Sequence, residues 1–96
     1  MTSKSGKRVD EEIYNGWKNY STWNVALWIA NDYPLYLAVC RFMDKYKGDD
    51  PYREFIVSRG LESSKTPDLI QWISTKLDYK ALNEMMWEYS PIGTRA

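Results

Sequence analysis

The stretch from Tyr14 to Ile29 constrains this chain more than any other part of it. It holds two of the eight tyrosines and three of the five tryptophans, with three asparagines set among them. Large rings contribute much of the burial energy of cores and interfaces, and their N–H and O–H groups need partners when they are buried. From Trp23 to Ala30 every residue except Asn24 is apolar. A helix apolar around most of its circumference must be covered by several neighbours or by a partner. Ser21 or Thr22 is the expected N-cap of that helix, which should end near Ala30. Trp23, Leu27 and Ala30 share one face, whereas Trp28 lies about 140° from Trp23 at roughly 100° per residue. One flat contact cannot bury both rings. Either the helix is sandwiched at the centre of the fold, or one ring stays open to a partner together with Tyr14, Trp17 or Tyr20. Asn19 and Asn24 flank the proposed cap, where their amides can bond free backbone groups, so both are expected to be structural.

The rest of the chain reads as further short helices. Asn31-Asp32-Tyr33-Pro34 breaks the first helix, and Pro34 suits the first turn of a second. Leu35, Ala38, Val39, Phe42 and Tyr46 recur at helical spacing toward Lys47, with Gly48 just past the end. Asp49-Asp50-Pro51 opens a third helix marked by Tyr52, Phe55 and Ile56, ending at Gly60. Thr66-Pro67-Asp68 repeats the cap, proline and acid pattern and predicts a fourth, with Leu69, Ile70, Ile73 and Leu77 on one face. Asp78 is the expected cap of a last helix from Tyr79 to Tyr89. The expected fold is an all-α single domain of four to five short helices over residues 10–92, between a disordered basic tail (1–9) and a short C-terminal tail (93–96). Trp23, Leu27, Val39, Phe42, Phe55, Ile56, Ile73, Leu82 and Met86 are its expected core.

Composition removes several chemistries. The chain has no histidine and one cysteine, Cys40. The commonest general base and the commonest transition-metal ligand are therefore missing together, and a zinc site of the usual nitrogen and sulfur ligands cannot form. The five glycines are scattered, so there is no phosphate-cradling loop. Glu84 and Glu88 lie one turn apart, but a solvated helix face explains their spacing as well as an acid–base pair does. No catalytic residue, cofactor or metal is expected. Thirteen basic residues balance thirteen acidic ones. A nucleic-acid binder usually carries a basic excess, which here is confined to Lys4, Lys7 and Arg8. No apolar run reaches the roughly 18–20 residues that span a bilayer. The first residues also lack the apolar segment of a secretory signal. A cytoplasmic monomer or homodimer without membrane association is expected.

The residues Tyr14-Asn15-Gly16-Trp17-Lys18-Asn19-Tyr20-Ser21-Thr22-Trp23-Asn24-Val25-Ala26-Leu27-Trp28-Ile29, with Asn31-Asp32 and Leu35-Tyr36 beyond them, carry a resemblance. They resemble a group of small uncharacterised proteins of bacteriophages, plasmids and bacteria that share an Asn-Tyr-x-Thr-Trp-Asn-Val core. In that group an acid often precedes the threonine. Here Ser21 stands there, so any capping role of the acid passes to its hydroxyl. The resemblance names no reaction. It implies a phage or mobile-element accessory protein, acting in the host cytoplasm by binding host defence or replication machinery. The expected function is thus non-enzymatic protein binding through Tyr14, Trp17, Tyr20 and Trp28, with inhibition of a host defence complex such as a CRISPR effector as its form. The alternative is a nucleic-acid-associated accessory protein using Lys4, Lys7, Arg8 and exposed rings.

Overall fold

Four of the helix starts written in the sequence become helices among residues 16–89, which the computed structural model describes. They are α1 (Tyr20–Asn31), α2 (Tyr33–Asp44), α3 (Pro51–Ser58) and α4 (Tyr79–Glu88). Among the described residues there is no strand; Lys65 and Gln71 form an isolated antiparallel bridge. The fold is all-α. Among the described residues no helix is long and apolar enough to cross a membrane.

Each helix begins for an identifiable reason. At α1 the cap is Asn19, before either Ser21 or Thr22: its Oδ1 accepts the Thr22 N–H at 2.9 Å. Ser21 and Thr22 are buried in the first turn instead. A single residue, Asp32, separates α1 from α2, and Pro34 stands in the first turn of α2. In α3, Pro51 occupies the first position, and the free N–H of Tyr52 is taken by Asn83 Oδ1 of α4 at 2.8 Å. Asp78 caps α4 by accepting the Ala81 N–H.

The helices pack as two pairs, α1 on α2 and α3 on α4, with α2 and α4 bridging them. Val25 and Ile29, Val39 and Met43, Tyr52, Phe55 and Ile56, and Leu82 and Met86 are buried together in the core. Each such side chain contributes roughly 1.5–3 kcal/mol by leaving water. Trp23, Leu27, Phe42 and Ile73, expected in the centre, are only half-buried. In α1 the inward face is Thr22, Val25, Ala26 and Ile29, so Trp23 and Leu27 lie on its flank.

Two further expectations fail for physical reasons. Helix α2 stops at Asp44, short of Lys47. Tyr46 turns back so that its ring stacks on Phe42 at 5.1 Å and its hydroxyl accepts the Asp50 N–H at 2.9 Å. A Cβ on Gly48 would collide with that ring, 2.7 Å from its Cζ. The larger failure is the helix expected from Thr66 to Leu77, where no helix forms. Thr66–Leu69 is instead a turn closed by the Leu69 N–H on the Thr66 carbonyl at 2.7 Å. The Thr66 N–H returns to the Ile70 carbonyl at 2.7 Å, and the Trp72 N–H reaches the Ser64 carbonyl at 3.1 Å. The result is a miniature hairpin with the three-residue loop Pro67-Asp68-Leu69. Leu69 takes the left-handed position of that loop, φ +69°, where glycine normally stands.

Candidate functional site

The polar residues of the N-terminal motif converge on this hairpin and the segment after it. A spacing of four places Asn24 and Trp28 one turn apart on the same face of α1. Both donate to one oxygen: Asn24 Nδ2 reaches Asp68 Oδ2 at 2.8 Å and Trp28 Nε1 reaches it at 3.0 Å. The two bonds, from Asn24 first and Trp28 second, hold the Asp68 carboxyl below its ordinary range against a small opposing effect of desolvation. The other end of the Asn24 amide accepts the Thr66 hydroxyl at 2.7 Å. That hydroxyl in turn accepts the N–H groups of Asp68 and Ile70, at 3.2 and 3.3 Å. Asn24 and Thr66 are buried, so their polar atoms need these partners.

Two further bonds fix the segment leading into α4. Asn19 Nδ2 donates to the Lys76 carbonyl at 2.8 Å, and Thr22 Oγ1 accepts the Asp78 N–H at 3.0 Å. From the other side, Tyr52 Oη donates to the Trp72 carbonyl at 2.6 Å. Asn19, Thr22, Asn24 and Trp28 thus act as four clamps on residues 66–78. Both asparagines are structural, as expected from sequence.

The clamps present Leu69 at the tip of the hairpin. It is 75% exposed, the most exposed of the large apolar side chains in the described residues. Beside it, Lys65, Gln71, Ser74 and Lys76 border a shallow cleft of about 250 Å³. A left-handed backbone costs a leucine on the order of 1–2 kcal/mol, and exposure recovers none of it. Strained residues persist only where their surroundings over-determine them, and here the bonds from Thr66, Asn24 and Asp68 do so.

The structure treats the expected contact residues unequally. Tyr14, Lys4, Lys7 and Arg8 lie outside the described residues. Trp28 is half-buried, with its N–H engaged by Asp68. Tyr20 is half-buried and packs on Trp23, ring centroids 5.4 Å apart. Trp17 is half-buried where α1 meets α4, lining a groove of about 300 Å³ with Trp23, Leu27, Met85 and Tyr89. Trp17, Tyr20 and Trp23 are thereby brought together, while Trp28 stands on the hairpin side of α1. Glu84 and Glu88 are exposed along the groove that Trp17 forms with Met85.

Sequence reasoning missed Thr66, Asp68 and Leu69 as a unit. The signal was present, because proline followed by aspartate is also turn chemistry, but a leucine in place of glycine hides it. Among the described residues no group of three or more acidic or cysteine side chains is placed to hold a metal ion. The Asp68 carboxylate, held by two donors below its ordinary range, is poorly suited to accept a proton near neutrality. What the arrangement does offer is a rigidly held apolar knob beside two lysines. No curated protein and no solved structure matches the chain. Its residues 10–93 match a family of unknown function (DUF7249), and the chain belongs to that family.

Proposed function

We propose that the protein is a non-enzymatic protein-binding accessory module, with the hairpin of residues 64–72 as its contact element and Leu69 as the anchor. The observation that carries this reading is the left-handed, 75% exposed Leu69 held by a buried hydrogen-bond network. A glycine there would relieve the strain and remove the exposed apolar surface together. A leucine in its place is explained by something outside the chain that uses it. A pre-ordered anchor also lowers the ordering cost of association. The resemblance of the motif in α1 to phage and plasmid proteins supports a host complex as the partner, with a defence complex as the specific form.

The test is affinity capture from nuclease-treated host lysate with the wild type, Leu69→Asp and Trp17→Ala. The reading expects nuclease-resistant capture of one complex, weakened at least tenfold by Leu69→Asp with the melting temperature unchanged, as for an interface hot spot. Capture that survives Leu69→Asp and fails with Trp17→Ala moves the contact to the aromatic groove. Capture abolished by nuclease supports the nucleic-acid alternative.

A further inference from the structure

Helices α2 and α3 enclose a groove of about 360 Å³, away from the motif, lined by Ala38, Arg41, Phe42, Phe55, Ser58 and Arg59. Its floor is aromatic: Phe42 and Phe55 meet edge to face, 5.4 Å apart at 70°. Phe55 is buried, whereas Phe42 is half-buried and leaves part of its ring open. The Arg59 guanidinium stands 5.9 Å from the centre of the Phe55 ring. The Ser58 hydroxyl is engaged by the Phe55 carbonyl at 2.8 Å.

The charges here are unbalanced. On α3, Glu54 accepts the Tyr46 hydroxyl at 3.0 Å, and Asp50 is held by Arg53 at 3.3 Å and Asn83 at 3.2 Å. Arg41 and Arg59 are exposed and form no ion pair among the described residues. No acidic residue lines the groove. Two guanidinium groups over an apolar floor, inside a chain whose net charge is zero, form a local site for negative charge.

We infer that this groove docks an acidic segment of a partner protein, with an apolar side chain on Phe42 and a carboxylate at each arginine. Guanidinium forks match carboxylates in bidentate geometry and stack on rings. The volume lies at the low end of the roughly 300–1,000 Å³ typical of ligand clefts, which suits one or two side chains. A nucleic acid would need a track of cations along its backbone, and the groove is lined by two.

The experiment is selection from a random-peptide display library on the full chain, followed by titration of the enriched peptides against wild type, Arg41→Gln/Arg59→Gln and Leu69→Asp. A mixed-sequence single-stranded oligonucleotide is titrated in parallel. The expected result is enrichment of peptides with acids flanking an aromatic or aliphatic residue. Their binding should fall at least tenfold in the double-arginine variant, weaken with added salt and be unchanged by Leu69→Asp. No enrichment, enrichment of neutral or basic peptides, or equal binding by the double variant overturns the inference. So does arginine-dependent binding of the oligonucleotide with the peptides inert. Arginine-dependent self-association with the peptides inert assigns the groove to a second copy and also overturns it. Because both arginines are exposed, the double variant should melt with the wild type, and because Leu69→Asp is tested alongside, failure here is distinguishable from failure of the hairpin reading.

Discussion

The interface among α2, α3 and α4 and the interface between α1 and the hairpin are built from different materials. The first is largely apolar: Val39, Phe55, Ile56, Leu82 and Met86 interlock, and Phe42 and Tyr46 extend the ring cluster. The second is closed by side-chain hydrogen bonds that link α1 to residues 40 to 44 positions away, from Asn24 to Thr66 and Asp68 and from Trp28 to Asp68. Apolar packing supplies much of the stability and tolerates changes of shape that keep volume. A buried polar network is intolerant of partial satisfaction and therefore specifies one geometry. The region that must hold a strained, exposed leucine is the one built from the more specific material.

Substitutions can break this comparison, beginning with the largest effect. Phe55→Ala, in the apolar half, should cost about 3–5 kcal/mol of stability in denaturant melts. A cost below 1 kcal/mol would show that α2–α4 is not the main source of stability. Asn24→Leu, in the polar half, should cost about 1–3 kcal/mol, because the Thr66 hydroxyl loses its acceptor and Asp68 a donor. A fully stable Asn24→Leu would mean the network holds nothing.

Leu69→Gly sharpens the comparison by reversing the sign. Relief of the left-handed strain, partly offset by the greater freedom of an unfolded glycine, should raise stability by up to about 1 kcal/mol, while partner capture is lost. A destabilised Leu69→Gly would indicate that the leucine contributes packing where it is 75% exposed, contrary to the geometry.

The smallest effect is electrostatic. The Asp68 carboxyl titrates lower in the folded protein than its ordinary value of 3.8 because Asn24 and Trp28 donate to its charged form. Its contribution is therefore present above the unfolded value and lost as pH falls through the acid range toward the folded one. Melting temperatures of wild type and Asp68→Asn should differ at neutral pH and converge as the solution is acidified. A gap that widens in acid would contradict the assignment.

The same contrast explains what the sequence disclosed. The four helices were legible from local chemistry: Pro34 and Pro51 in first turns, Asp78 as a cap, and apolar spacing in α2, α3 and α4. Asn24 stood out as the one polar residue in an apolar run, and its burial follows from that. The hairpin was not legible, because Thr66-Pro67-Asp68 opens a helix or a turn with the same residues. The choice is made by the bonds from Asn24 and Trp28 to Asp68, which span 44 and 40 positions and which no local pattern displays. Leu69 followed the same error, since helical spacing assigned to a core face a side chain that the turn sends into solvent. The early end of α2 was hidden likewise, being set by the docking of Tyr46 onto Phe42 and Asp50.

The central claim is that the motif in α1 holds the hairpin in place, and amide hydrogen exchange of wild type and Asn24→Leu tests it most directly. The informative amides are Thr66, Leu69, Ile70 and Trp72, which donate within the hairpin, set against those of Phe55 and Leu82 in the apolar half. Local opening is read separately from global unfolding in such data. The account predicts that Asn24→Leu strips protection from the four hairpin amides beyond its global loss of stability, while Phe55 and Leu82 decline only by that global amount. A uniform decline across both halves, or hairpin amides already unprotected in the wild type, would contradict it.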